Sequence, residues 1–387
     1  MQDELIQLRS YLHRHPELSN QEFQTTKHLV GIIERLSLNC NVANEERGFT
    51  CDITSTEQPA RRLALRADLD ALPLQDAKQV DYRSTHDNAM HACGHDVHAT
   101  ILVGAIRVLE SMRKNGQLPW PIGVRAIFQP AEETATGASY MINNASIENV
   151  NEIVALHVDP TRKVGRIGLS PGVITANCDL FEVRFKGQGG HGARPHETID
   201  PIDVATQWLQ QVYATVRSGP GPSDSTVISV GAFQAGHSAN VIPDEALLSG
   251  TLRSHRRDAR QTALKAIHEI SHTLTNQTGC KIEWRLGFSA PSVVNDTGTV
   301  AVIKDAARKL LGSDAIEPIG QPSMGGEDFS YYLEHIPGAM FRIGSSSEQI
   351  GKHPLHSPNF DIDERVIAIG VKLLVATVIE YFDPARA

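Results

Sequence analysis

The chain reads as an α/β fold: a large, mostly parallel sheet layered with helices, interrupted by a smaller inserted α+β unit. Two observations predict it. Apolar strand-like runs alternate with helical periodicity over the first 177 residues, and again after residue 292. Between them, from 178 to 291, the pattern changes to β-α-β-β-α-β, the ferredoxin-like order. The domains predicted are therefore 1–177 with 292–387, discontinuous, and 178–291 as an insert. A chain of 387 residues accommodates two or three domains of ordinary size.

The elements follow in order. A helix spans 3–15 and stops at His15-Pro16. A strand at 62–66 (RLALR) leads into Ala67-Asp68-Leu69-Asp70. Asp96 is placed to cap a helix that runs to Met112. Its apolar residues, from Val97 through Ile101, Leu102, Ala105 and Leu109, exceed one stripe, so the helix is expected to be well buried. Strands at 122–128 and 152–158 end at Gln129-Pro130 and Asp159-Pro160. In the insert, Phe181, Val183 and Phe185 alternate with charged residues, the mark of a half-buried strand. A helix at 201–217 carries Ile202, Ala205, Leu209, Val212 and Val216 on one face. Strands at 225–233 and 245–253, a helix at 258–275 and a strand at 281–286 complete it, with a Gly-Pro-Gly-Pro-Ser loop at 219–223. A helix at 297–311, a strand at 339–343 and a helix at 364–382 return to the first pattern.

Composition excludes several functions. There is no run of about 18 apolar residues, so no membrane span is expected. The net charge of −9 with no basic tract argues against a nucleic-acid partner. Five scattered cysteines make a poor disulfide framework and suit a reducing cytoplasm. The acidic start, Met1-Gln2-Asp3-Glu4, lacks the features of a signal peptide, so a cytoplasmic location is expected.

Seventeen histidines prompt a search for metal-ligand clusters. The densest is His91-Ala92-Cys93-Gly94-His95-Asp96-Val97-His98. Cys93 and His95 are two apart and project to one side of an extended segment. Thiolate with imidazole suits zinc and similar divalent metals. A free cysteine beside histidines at a helix start is the alternative. His91 and His98 read as structural or supporting residues. Glu132-Glu133 follows an apolar strand, where ligand sites of open α/β sheets lie. One carboxylate can bind metal while the other serves as base and acid. A solvated helix start is the bland alternative. His157 ends another buried strand, and His353 and His356 share a loop. Each of these alone has an ordinary structural explanation. Together they supply thiolate, imidazole and carboxylate from one predicted domain.

Several ordered motifs carry a resemblance. They are Arg66-Ala67-Asp68-Leu69-Asp70-Ala71-Leu72-Pro73, His91-Ala92-Cys93-Gly94-His95-Asp96, Gln129-Pro130-Ala131-Glu132-Glu133, Leu156-His157-Val158 and Gly189-Gly190-His191-Gly192-Ala193-Arg194-Pro195-His196. Asn240-Val241-Ile242-Pro243, Met324-Gly325-Gly326-Glu327-Asp328-Phe329 and His356-Ser357-Pro358 extend it, as do Arg9, His13, His15, Pro16 and Glu17. The chain resembles the aminoacylase and carboxypeptidase superfamily of dinuclear metallohydrolases. Within it, the amidohydrolase branch of hippurate hydrolases, N-acyl amino acid deacylases and indole-acetyl amino acid hydrolases is most similar.

The resemblance implies two divalent metal ions per subunit: zinc or manganese, with cobalt and nickel also compatible. It implies Cys93 as the bridging ligand, with His95 and His157 on one metal and Glu133 and His356 on the other. Glu132 would act on a metal-activated water as general base, then protonate the leaving amine. Asp68 would orient a histidine ligand. The wider superfamily has a histidine ligand two residues before that aspartate. Arg66 stands there, and His95 is expected to take over. His191 would donate to the oxyanion. Asn240, Gly325, Gly326 and Arg253 would contact substrate, with Arg194 a weaker candidate for carboxylate recognition. The insert would serve as lid and homodimerisation surface. The substrate implied is an N-acyl amino acid or related small amide, cleaved to a carboxylic acid and a free amino acid. Two rivals remain: a metal-dependent dipeptidase or carboxypeptidase, and a non-catalytic binding protein on the same fold.

Overall fold

The computed structural model describes residues 1–217 and 226–386. In chain order, the first elements are α1 (Gln2–Arg14), α2 (Phe23–Glu34), β1 (Cys40–Val42), β2 (Phe49–Thr54), β3 (Leu63–Asp68), α3 (His95–Lys114), β4 (Gly123–Gln129), α4 (Gly137–Asn143) and β5 (Glu152–Lys163). There follow β6 (Ile167–Gly168), β7 (Gly172–Val173), β8 (Asn177–Lys186), β9 (Gly190–His191), α5 (Pro201–Arg217), β10 (Thr226–Ala235), β11 (Val241–Ile242), β12 (Glu245–Ser254), α6 (Arg257–Thr278) and β13 (Lys281–Ala290). The last are β14 (Val294–Asn295), α7 (Thr297–Leu311), β15 (Ile316–Glu317), α8 (Ser330–Leu333), β16 (Gly338–Ser346) and α9 (Arg365–Tyr381). The 219–223 loop and residue 225 lie outside the described residues. No helix among those described is long and apolar enough to cross a membrane.

The chain divides into two compact units. The first comprises Met1–Ile174, Val293–Gln321 and Asp328–Ala387. Its sheet runs β1-β2-β4-β3-β5-β16-β6-β15. The central strands β4, β3, β5 and β16 are parallel, whereas β2 and β6 run against their central neighbours. Alternation along each strand sends side chains to two different cores. Leu63, Leu65 and Ala67 of β3 join Val124, Ala126 and Phe128 of β4 in the larger core, which α1, α3, α7 and α9 help to cover. Ala64, Ile127, Ile153, Ala155 and Met340 face the smaller one, beneath α4 and α8. Arg66, Asp68, Gln129 and His157 keep the second parity, so the strands turn polar toward their C-terminal ends on that side.

The start of α3 differs from expectation. Gly94, at φ +86°, is its N-cap, and Asp96 lies inside the first turn. The Asp96 carboxylate is committed instead to Arg9 and His13, at 2.9 and 2.7 Å. Gly94 is required there, because a Cβ would meet the Val158 side chain at 2.5 Å.

The second unit comprises Thr175–Ser292 together with Pro322–Glu327. Its sheet is antiparallel throughout, ordered β10-β12-β8-β13. Phe181, Val183 and Phe185 of β8 bury one face against α5 and α6. On α5, Val204, Ala205, Trp208, Val212 and Val216 are buried. Ile202, the second residue of the helix, is exposed, while the indole of Trp208 is buried and donates to Ser271 on α6 at 2.9 Å. The short segment 322–327 belongs here through a bridge between Thr175 and Ser323 and a bond from Ala176 N–H to the Ser323 carbonyl. Gly325 and Gly326 therefore lie in this unit rather than in the larger one, where the sequence boundaries put them.

Candidate metal centre

The first unit gathers Cys93, His95, Glu133, His157 and His356 in two groups. The donor atoms of Cys93, His95 and His157 lie within 4.8 Å of one another, as do those of Cys93, Glu133 and His356. Cys93 is common to both groups. Its Sγ is 3.4 Å from His157 Nε2, and His356 Nε2 is 3.5 Å from Glu133 Oε1. His356 sits in a left-handed conformation at φ +65°, and its N–H donates to the Ala92 carbonyl.

Hydrogen bonds settle which histidine nitrogens are free. His95 Nδ1 is 2.9 Å from the carbonyl oxygen of Asp70, which can only accept. The proton is therefore on Nδ1, and Nε2 turns its lone pair toward the cluster. His157 Nδ1 likewise donates to the Val158 carbonyl at 2.8 Å, which leaves Nε2 facing Cys93. His98 differs. Its Nε2 accepts the Val158 N–H at 3.0 Å and its Nδ1 donates to Asp68 at 2.7 Å. With both nitrogens spent, His98 is a strut between α3, β3 and β5.

Asp68 is expected from sequence to orient a ligand histidine. The structure places it against His98 and against Arg66, whose Nη1 is 2.6 Å away, while His95 Nε2 stands off at 3.8 Å. The group that orients His95 is Asp70, through its carbonyl and through Oδ1 at 3.2 Å. Arg66 also donates to Gln129 and Asp328, at 2.9 and 2.8 Å. It is a buried cation that ties three side chains together.

Glu132 and Glu133 sit on a tight turn after β4. Ala131 and Ala135 both adopt positive φ, +52° and +48°. A non-glycine residue there costs about 1–2 kcal/mol. The turn is held by side chains: Glu22 accepts from Ala131 N–H at 2.7 Å, and Asp70 accepts from Glu133 N–H at 3.0 Å. Glu132 Oε1 accepts weakly from Asp328 N–H at 3.4 Å, and its Oε2 comes within 4.0 Å of His95 Nε2. Sequence reasoning misses Asp70 and Glu22. Asp70 stands two residues beyond Asp68 at a strand exit, a spacing that could have flagged it. Nothing local marks Glu22.

The residues fit a divalent cation. Neither His95 Nε2 nor Glu133 Oε1 has a hydrogen-bond partner among the described residues, although both are buried. Burial and then the neighbouring Glu133 push the Cys93 thiol well above its usual range. Burial raises the Glu133 carboxyl to about 7, His95 opposing and Asp70 adding to the rise. Burial disfavours a charged His95, but Asp68 and Asp70 outweigh it and hold its pKa well above the usual value. Carboxylates that favour a proton at His95 favour a metal ion in its place. Nitrogen, oxygen and sulfur donors in this arrangement suit borderline divalent metals.

In the second unit, β9 pairs with β11 so that His191 lies opposite Val241. Gly192 N–H donates to the Asn240 carbonyl at 2.9 Å, which brings His191 and Asn240 side by side. His191 Nδ1 accepts from Ala193 N–H at 3.1 Å, so its Nε2 carries the proton. Asn240 Oδ1 accepts from Ser238, leaving its amide N–H groups to donate. Both side chains are exposed. Arg253 donates to the carbonyl of Met324, beside Gly325 and Gly326.

The model of peptidase family M20/M25/M40 matches residues 64–380. The chain belongs to this family. Among M20 relatives, an N-acetyl-L-cysteine deacetylase of Bacillus subtilis strain 168 is 35% identical over 370 residues, covering 95% of this chain and 85% of the relative. An N-acetyldiaminopimelate deacetylase of Streptococcus pneumoniae is 34% identical over 378 residues, covering 95% of this chain and 96% of the relative. The crystal structure of the Bacillus subtilis YXEP protein, described as a dinuclear metal binding peptidase of the M20 family, superposes with a TM-score of 0.84. It is 32% identical and covers 99% of this chain and 98% of that one.

Proposed function

We propose that this M20 protein is a metal-dependent amidohydrolase that cleaves N-acyl amino acids to a carboxylic acid and a free amino acid. The observation that carries the reading is the Glu132 carboxylate facing a cluster in which one cysteine belongs to two ligand groups. The deacetylases among its relatives support the substrate class.

Cys93 would hold two divalent cations, one with His95 and His157 and the other with Glu133 and His356. Once bound, they would supply Lewis acidity for a scissile carbonyl and lower the pKa of water toward neutrality. Glu132 is free of that ligand set. It takes the proton of the attacking water and returns it to the leaving nitrogen. Asp70 keeps His95 in the tautomer that presents Nε2. The Nε2–H of His191 is the donor for the oxyanion that develops on the former carbonyl oxygen. The amide N–H groups of Asn240 suit the substrate carboxylate, with Arg253, Gly325 and Gly326 as further contacts. The second unit is proposed to serve as lid and homodimer surface, and a cytoplasmic location fits the reduced cysteines.

A metal-reconstituted activity screen over N-acetyl, N-benzoyl and indole-acetyl amino acids, each beside its matching free dipeptide, tests this function. Turnover of acyl amino acids that a chelator abolishes is expected. Preference for free dipeptides would mark a peptidase. Binding without turnover would mark a protein that keeps the fold alone.

A further inference from the structure

We infer that Glu22 and Asp70 form a buried two-carboxylate clamp that positions the turn carrying Glu132 and Glu133. The inference rests on the role proposed for Glu132. Both carboxylates are buried, at 0% and 1% exposure. Glu22 Oε1 accepts from Ala131 N–H at 2.7 Å and from Asn20 N–H at 3.1 Å. Asp70 Oδ2 accepts from Glu133 N–H at 3.0 Å and from Ser19 Oγ at 2.6 Å. The amides on either side of Glu132 are thus held by two carboxylates from two distant segments.

Glu22 has an obvious alternative employment, and it does not take it. It is the N-cap residue of α2, yet its side chain makes no capping bond there. The free amides of Gln24 and Thr25 are satisfied by Glu17 instead, at 3.1 and 2.7 Å. Its carboxylate is directed away from its own helix, at the left-handed Ala131. The segment that carries Glu22 is itself anchored beside Asp70. Ala71 N–H donates to the Glu17 carbonyl at 2.8 Å, and Leu18 bridges Ala71. Burying two acidic groups near each other is costly, and burial followed by the charge of Asp70 raises the Glu22 carboxyl to about 7.

Glu22 is a positioning residue, not a catalytic one, and the distinction is testable on the full chain. Glu22→Gln keeps the accepting Oε1 and loses the charge. Glu22→Asp keeps the charge but falls short by one methylene. Misplacement of the base by about 1 Å lowers kcat by about 10²-fold. The expected result is therefore a kcat loss of about that size in Glu22→Asp on an N-acetyl amino acid, with KM nearly unchanged, and near wild-type kcat in Glu22→Gln. A cobalt titration followed by absorption gives a second readout, because Glu133 shares the turn. Glu22→Asp should bind its weaker cobalt equivalent about tenfold less tightly, and Glu22→Gln should match wild type. Glu22→Asp at wild-type level in both assays overturns the clamp. So does Glu22→Gln as impaired as Glu22→Asp. If wild-type protein hydrolyses no acyl amino acid, the proposed function falls, and the cobalt arm still decides the clamp.

Discussion

The cluster around Cys93 and the pair formed by His191 and Asn240 fix their polar groups in opposite ways. In the first unit, buried partners hold three of the groups while His356 is exposed: Asp70 holds His95, Val158 holds His157, and Glu22 with Asp70 holds the Glu132 turn. In the second, His191 and Asn240 are exposed and oriented by bonds in and beside the two-stranded sheet of β9 and β11. The difference separates two roles. A cation centre must be preset, since each misdirected buried donor costs desolvation without a bond in return. An exposed imidazole that meets substrate needs only its tautomer fixed.

The largest way to break this contrast is Glu132→Ala. Removing the base from the preset region should lower kcat by about 10³-fold or more, while metal content by elemental analysis stays at the wild-type value. Turnover near wild type would remove Glu132 from the reaction. His191→Ala comes next. Loss of one oxyanion donor lowers kcat by about 10²-fold. Because His191 is exposed and outside the cluster, the melting temperature and metal content of that variant should match wild type. A His191→Ala protein depleted of metal would erase the distinction between the two regions.

Much of the fold is legible because the central strands are near-continuous apolar runs that end on signals. The runs at 62–66, 122–128 and 152–158 correspond to β3, β4 and β5, each turning polar where the apolar run stops. The hairpin of β1 and β2 and the helix α2 are not legible in this way. β1 is three residues with little burial, and α2 buries two threonines among only three aliphatic residues. Their patterns are weak because the sheet edge, not their own periodicity, supplies their partners.

In the site, the chemistry of Cys93, His95, Glu133 and His157 can be read from residue type and strand-end position. The supporting part of His98 is also read there, but which nitrogen of each ring is engaged is not: the Asp70 carbonyl fixes it for His95, and the Val158 amide for His98. Asp96 departs from expectation for a related reason: its tertiary partners, Arg9 and His13, decide a position that local pattern assigns differently.

The central claim is that one cysteine joins two cation sites. Metal content per chain, measured after reconstitution and dialysis in wild type and in Cys93→Ala, tests it most directly. Wild type should retain two equivalents, and the variant less than one, because both sites lose the shared ligand. Two equivalents retained as tightly by Cys93→Ala would contradict it.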